Sequence, residues 1–331
     1  MKKLNLLYFI FFIVCSVRDL FGNPLFGFCH YYHHSDGDTP GYFSVYVRDE
    51  DITYAQFAEA LKPGGELGTG SGVIRELDIE NCSNLEALPD LSGLLRVNSS
   101  LIELHIENCT SLKTVSVLRG LPYLQELTIA RCPELEEIRL SSEETSLFRL
   151  RIRDCPKIKN IILHKLPLLR ELHIDGCNCL KLLDASELPV LKELYIYNSD
   201  FSPRFEILDY LQLRELWQLR QPPHLLLRVP DNLNYLYLSR CKGVRYLYQV
   251  GELKHLKGLF LSGPEIDELP DWLLLLPELK HLYLVDTPLV KGISESTIMA
   301  ATDASSTHED VLRLLYVIRE KEARQKLVRV P

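Results

Sequence analysis

The chain has 331 residues with 37 Lys and Arg against 45 Asp and Glu, a formal charge of −8. That balance argues against nonspecific nucleic-acid binding, which needs surplus cations to neutralise phosphates. Nine cysteines invite a disulfide framework by number, but their spacing does not.

The N-terminus reads MKKLNLLYFIFFIVCSV, with Lys2 and Lys3 ahead of an apolar run from Leu4 to Val17 that only Asn5 and Ser16 interrupt. This is the charged-then-apolar pattern of a secretory signal, shorter than a membrane span needs. Residues 1–20 are therefore expected to be a signal peptide, the product secreted or exported, with no stable membrane span after its removal. No A-x-A follows, and Ile13-Val14 ahead of Cys15 fits a lipoprotein box poorly. A buried N-terminal helix or strand in a cytoplasmic protein is the alternative.

Residues 21–72 form an N-terminal segment. Cys29, His30, His33, His34, Asp36 and Asp38 show no metal-ligand spacing, and the stretch reads as a solvated surface loop. Asp51–Lys62 reads as an amphipathic helix, stopped by Pro63-Gly64, that packs Ile52, Phe57 and Leu61 on the first repeat and caps the open sheet edge. The Gly-rich PGGELGTGSG lacks the Lys-Ser/Thr pair of a phosphate loop and reads as a connector.

From residue 73 to 294 one phrase recurs, L-x-x-L-x-I-x-x-C-x-x-L. It is carried by Leu124, Leu127, Ile129, Cys132 and Leu135, and again by Leu169, Leu172, Ile174, Cys177 and Leu180. Ten copies open at Ile74, Leu101, Leu124, Leu147, Leu169, Leu191, Leu213, Leu233, Leu256 and Leu279, spaced 27, 23, 23, 22, 22, 22, 20, 23 and 23 residues apart. That is a solenoid period. Alternation at period two makes each copy one short strand, and stacked copies form a parallel sheet over a continuous core. The phrase resembles the leucine-rich repeat family, in particular the Cys-containing repeats of plant nucleotide-binding immune receptors and of bacterial proteins. The resemblance implies an α/β-type solenoid, an arc with a parallel concave sheet and irregular convex segments. Pro122, Pro167, Pro189, Pro270 and Pro277 in the return segments disfavour full helices, leaving extended or single-turn pieces. In the sixth and seventh copies Ser199 replaces Cys and Gln218 stands in an inward slot, with Pro222-Pro223 just beyond. A distorted unit is expected there, or a bend that shapes the binding surface.

Cys82, Cys109, Cys132, Cys155, Cys177 and Cys241 share one slot of the phrase. In-register side chains run parallel, which leaves the Cβ atoms too far apart for a relaxed disulfide, so buried free thiols are expected. Residues 295–331 read as a polar linker and a helix. Ser306 with Glu309 forms a candidate capping box, and Val311, Leu314, Leu315 and Ile318 give an apolar stripe that either caps the solenoid or rides on a mobile tail.

The slot between the inward Leu and Ile faces outward. It holds Asp78, His105, Thr128, Arg151 and His173, then Tyr195, Trp217, Tyr237, Phe260 and Tyr283, with Tyr197 and Tyr235 alongside. These seven aromatics are the candidate partner-binding residues, because Tyr and Trp supply much of the binding energy at protein interfaces. Packing of the rings on one another across the ladder is the competing reading. Glu76, Glu103, Glu126, Glu171, Glu193 and Glu215 form a second row, with Arg75, Arg170, Lys192 and Arg214 placed to compensate it. No G-x-S-x-G or H-E-x-x-H motif occurs, and His105 and His173 lie three repeats apart. The expectation is a non-enzymatic, protein-binding scaffold without cofactor or metal. The alternative is a recognition subunit or adaptor of a larger intracellular complex.

Overall fold

The computed structural model of the protein describes residues 29–34, 42–48, 51–62, 73–91, 101–116, 121–142, 145–199, 226–244 and 247–328. The signal-like segment, Asp36 and Asp38, the Gly-rich connector and the Leu213 copy with Glu215, Trp217 and Pro222-Pro223 lie outside these residues.

The copies of the phrase build one wall of the molecule. Strands β3 (Val73–Glu80), β4 (Glu103–Glu107), β6 (Glu126–Ala130), β8 (Arg149–Arg153), β10 (Glu171–Asp175), β12 (Glu193–Tyr197), β14 (Tyr235–Ser239), β15 (Gly258–Ser262) and β16 (His281–Val285) stack in parallel, in that order. Their register is unbroken. Leu77 pairs with Leu104, then Leu127, Leu150, Leu172, Leu194, Leu236, Leu259 and Leu282. These leucines, and the Ile or Leu two residues on, are buried in a single core. A one-residue slip would turn every one of them outward, so burial itself specifies the register.

Each of these nine strands ends on a residue of positive φ: Asn81, Asn108, Arg131, Asp154, Gly176, Asn198, Arg240, Gly263 and Asp286. The turn aims the residue's N–H along the stack. Asn81 N donates to Glu107 O at 3.0 Å, Asp154 N to Asp175 O at 2.9 Å, and Gly263 N to Val285 O at 3.0 Å. Asn, Asp and Gly tolerate this left-handed conformation best, and they fill seven of the nine positions.

The returning segments make a second, smaller parallel sheet across the core: β5 (Thr114–Val115), β7 (Glu137–Ser141), β9 (Asn160–His164), β11 (Leu182–Asp184) and β13 (Leu226–Arg228). In the later units this wall becomes single 3₁₀ turns at Tyr248–Glu252, Asp271–Leu275 and Pro288–Val290. The expected mixture of extended and one-turn pieces is therefore present, sorted by position along the solenoid.

On both walls the strands that flank the seventh copy in the sequence pair directly. Leu194 on β12 pairs with Leu236 on β14, and Leu182 on β11 with Leu226 on β13. Asn234 N donates to Lys192 O, and Lys242 N to Ser199 O, at 3.1 and 3.0 Å. The Leu213 copy lies outside the described residues, among which nine copies of the phrase stand in register.

The first end differs from expectation as well. Cys29–His34, expected as a loop, forms β1, antiparallel to β2 (Tyr42–Arg48), and β2 lies parallel beside β3 with a bulge at Phe43/Ser44. These two strands continue the sheet beyond the first repeat. Helix α1 (Tyr54–Ala60) caps the core beneath them through buried Ile52, Phe57 and Leu61. Its start is fixed by a capping box in which Thr53 N donates to Gln56 Oε1 at 2.9 Å.

At the other end a short helix, α2 (Glu295–Ala300), precedes α3 (His308–Val328), and Leu282 N on β16 donates to Ala301 O at 2.9 Å. Val311, Leu314, Leu315 and Ile318 are all buried in the common core, so α3 is a cap and not a free tail. Its capping box lies one residue later than expected: Thr307 N and Oγ1 donate to Asp310 Oδ2 at 3.0 and 2.6 Å. Ser306 instead donates to Ala300 O at 2.6 Å. Among the described residues no helix is long and apolar enough to cross a membrane.

The repeat cysteines are free and buried. Each thiol donates to the carbonyl two residues back, as from Cys132 to Ala130 O and Cys241 to Ser239 O, both at 3.3 Å. Ser199 makes the same bond to Tyr197 O at 2.9 Å, which explains its tolerance in the Cys slot. Burial pushes the Cys177 and Cys241 thiols up to about 12. The thiolate is the reactive form, so the native protein at pH 8 should leave both unmodified by iodoacetamide while guanidinium exposes them fully. Intact-mass and peptide mapping read this directly, and modification of either thiol at the unfolded rate would contradict it.

Candidate functional site

The face of the larger sheet turned away from the core carries the slot between each inward Leu and Ile. Parallel in-register strands place these slot residues directly above one another, about 4.8 Å apart. Flat rings close that spacing by stacking. His173 stacks on Tyr195 with centroids 4.2 Å apart and planes 5° from parallel. Tyr195 stacks on Tyr237 at 4.2 Å, Tyr237 on Phe260 at 4.1 Å, and Phe260 on Tyr283 at 4.1 Å. The result is one column of five half-buried rings crossing five strands.

The column keeps four of the seven candidate residues and adds one. Tyr195, Tyr237, Phe260 and Tyr283 stack, and Trp217 lies outside the described residues. Tyr197 leans beside the column, 6.2 Å from Tyr195 with planes at 42°. Tyr235 lies across the next strand, where a Cβ on Gly258 would come within 2.5 Å of its ring. His173 is the member missed from sequence, although it occupies the same slot and carries a flat ring. Desolvation lowers its pKa below the usual histidine value, which favours the neutral ring.

Hydroxyl contacts hold the column at two points. Tyr195 Oη donates to a Glu193 carboxylate oxygen, and Tyr283 Oη donates to Thr302 O at 2.8 Å. Burial first, then the Glu193 contact, keep the Tyr195 phenol protonated far into the alkaline range. Stacking occupies the ring faces. What the column offers outward is a row of ring edges, which carry the positive side of the aromatic quadrupole.

The second row is mixed in charge. In register it reads Glu76, Glu103, Glu126, Arg149, Glu171, Glu193, Tyr235, Gly258 and His281. Arg149 sits inside the row and bridges its two neighbours, with Nη1 2.6 Å from Glu126 Oε1 and Nε 2.6 Å from Glu171 Oε2. Arg151 adds a contact to Glu126 Oε2 at 2.8 Å. Compensation in the middle of the row therefore comes from Arg149 and Arg151, one of them within the row.

At the first end of this face the same slot turns acidic. Asp78 lies in register between Tyr46 on β2 and His105 on β4. Glu76, two residues earlier on the same face, accepts a 2.5 Å bond from Ser44 Oγ. His105 Nε2 is 4.0 Å from Glu76 Oε1 and 3.5 Å from Glu103 Oε2. Burial raises the Asp78 pKa to about 6, offset in part by His105 and reinforced by Glu76 and Glu80.

Nine in-register strands, a left-handed residue closing each, and in the units from β3 to β14 a Cys or Ser bonded back to its own strand end define the repeat. The fold is a leucine-rich repeat solenoid. No family model matches the chain, and no curated protein matches it. Among solved structures, the leucine-rich repeat domain of the type III effector XopL aligns over 71% of this chain and 80% of its own, at 18% identity and a TM-score of 0.28. A leucine-rich repeat protein of Leptospira interrogans aligns over 76% and 93%, at 17% identity and a TM-score of 0.18. The description of this leucine-rich repeat solenoid accordingly rests on its own register and turns.

Proposed function

We propose that this solenoid is a non-enzymatic protein-binding scaffold whose partner docks on the outer face of its larger sheet, over the ring column from His173 to Tyr283. The observation that carries this reading is the column itself: five stacked, nearly parallel rings presented as edges on the sheet, beside a mixed-charge row. Such a surface supplies large apolar contact at little entropic cost, since each ring is already fixed by its neighbours. The outward ring edges suit carbonyl oxygens and apolar side chains of a polypeptide.

Affinity capture from a candidate host lysate and from an extracellular fraction, read by mass spectrometry, tests this. The Tyr195→Ala/Tyr237→Ala variant should lose at least tenfold of the captured partner, while Tyr316→Ala, on exposed α3 surface, retains it. Equal capture by the wild type and the double variant would remove the column from the interface. Trp217→Ala, run alongside, measures what the seventh copy contributes.

We further propose export through residues 1–20, on the strength of the Lys-Lys-apolar pattern, followed by action in a reducing compartment, as the row of unpaired buried thiols favours. The intact mass of the mature N-terminus decides the first point; an unprocessed chain recovered from cytosol would favour the adaptor role in an intracellular complex.

A further inference from the structure

We propose that Glu76, Asp78 and His105 form a divalent transition-metal site, with zinc as its best-suited ion, on the outer face at the first end of the solenoid. One donor atom from each of the three residues lies within 4.8 Å of the others. Bonds of about 2.1 Å to zinc bring two donors to at most ~4.2 Å apart, so small rotations of these side chains complete the cage.

A second observation points the same way. Asp78 is only 5% exposed, yet among the described residues no hydrogen bond reaches its carboxylate. Buried carboxylates are paired, hydrogen-bonded or bound to metal, because an isolated one is strongly disfavoured. The charges around it deepen that deficit. Glu76 and Glu103 stand on the same side, with His105 paired in register beside Asp78, while Glu80 is already paired with Arg48 at 2.8 Å.

The scaffold also orients the donors. Glu76 and Asp78 share one face of β3 at i and i+2, and Asp78 is paired in register with His105. Ser44 Oγ holds Glu76 Oε2 at 2.5 Å, which leaves Oε1 turned toward His105. That is the outer support a ligating carboxylate receives in metal sites. One imidazole nitrogen and two carboxylates suit zinc and its neighbours in the first transition row, whereas calcium needs six to eight oxygens. Three protein donors leave one tetrahedral position on the outer face, open to water or to a carboxylate or imidazole of a docked partner.

Calorimetric titration of the metal-free full chain with zinc chloride, and separately with calcium chloride, tests the site. The wild type should take up one more zinc equivalent than Asp78→Asn or His105→Gln, or bind it at least tenfold more tightly, and show no matching calcium uptake. Because other His and Cys side chains add background, the difference between wild type and variant is the quantity read. Circular dichroism establishes that each variant is folded. Zinc should raise the melting temperature of the wild type and not that of Asp78→Asn, whose metal-free form should melt higher than the metal-free wild type. Identical zinc isotherms and identical zinc-induced shifts in wild type and both variants would overturn the proposal.

Discussion

Ending the chain at Asp303 should collapse the stability of the solenoid or turn it into a soluble aggregate. The helix removed, α3, buries Val311, Leu314, Leu315 and Ile318 on the last unit. Four such side chains contribute about 1.5–3 kcal/mol each, hence about 6–12 kcal/mol as an upper bound. A whole domain is stable by only about 5–15 kcal/mol. Specific bonds go with the helix too. Glu322 Oε1 accepts from Leu269 N at 3.0 Å, Lys321 Nζ donates to Leu289 O at 3.0 Å, and His308 Nδ1 lies 2.9 Å from Leu279 O. Their loss leaves main-chain groups of the last two units facing water. The exposed Arg319–Asp271 pair, at 2.8 Å, matters far less, since surface pairs contribute about 0–1 kcal/mol. Urea unfolding, dye binding to apolar surface and size-exclusion chromatography read the outcome. An unchanged urea midpoint would make α3 a passenger.

That cap was half visible in the sequence. The apolar stripe at Val311, Leu314, Leu315 and Ile318 was legible, because helical spacing needs only local information. Docking was not, since the receiving surface is assembled from units far away in the chain. Two overlapping capping boxes, Ser306 with Glu309 and Thr307 with Asp310, both satisfy the pattern. The choice fell to the second because Ser306 is drawn off to Ala300 O.

The repeats show the same division. Period and alternation reveal nine strands because each strand depends on a local pattern that recurs. The Leu213 phrase matches that pattern, yet β12 and β14, which flank it in the sequence, pair directly. Warning signs stood in the sequence: Gln218 in the inward slot, Pro222-Pro223 just beyond, and a shortest interval of 20 residues to Leu233. Strands β1 and β2 escaped notice for the opposite reason. They extend the edge without repeating the phrase, so the period offers no guide to them.

For the binding face, slot position was readable and ring geometry was not. A slot shared by aromatic residues implies neighbours on one face, and the sequence predicted a row on that basis. Whether ring faces or ring edges meet a partner depends on rotamers, and in-register stacking turns the edges outward. The acidic corner was concealed by distance. Glu76 and Asp78 are separated from His105 by a whole unit, 27 residues after Asp78, and only register unites them.

Leu172→Ala tests the repeat logic itself. Leu172 is fully buried at the middle of the larger sheet, with Leu150 and Leu194 as its partners on either side. Replacing a buried Leu by Ala removes apolar burial and leaves a cavity, at about 2–5 kcal/mol. In this unit the cavity is closed in from behind by β9 and β11, whose Ile161, Leu163 and Leu183 are themselves fully buried. Paired walls give little freedom to collapse, so the cost should fall in the upper part of that range. Because each unit leans only on its neighbours, the effect should also be local. Hydrogen exchange should show lost protection from Arg149 to Tyr197, with protection at β15 and β16 changed much less. A lowered denaturant slope together with a lowered midpoint would show the solenoid parting into two halves at that rung. Uniform loss of protection from β3 to β16 would instead mean that the nine units fold as one cooperative body, and nearest-neighbour stacking would not describe this solenoid.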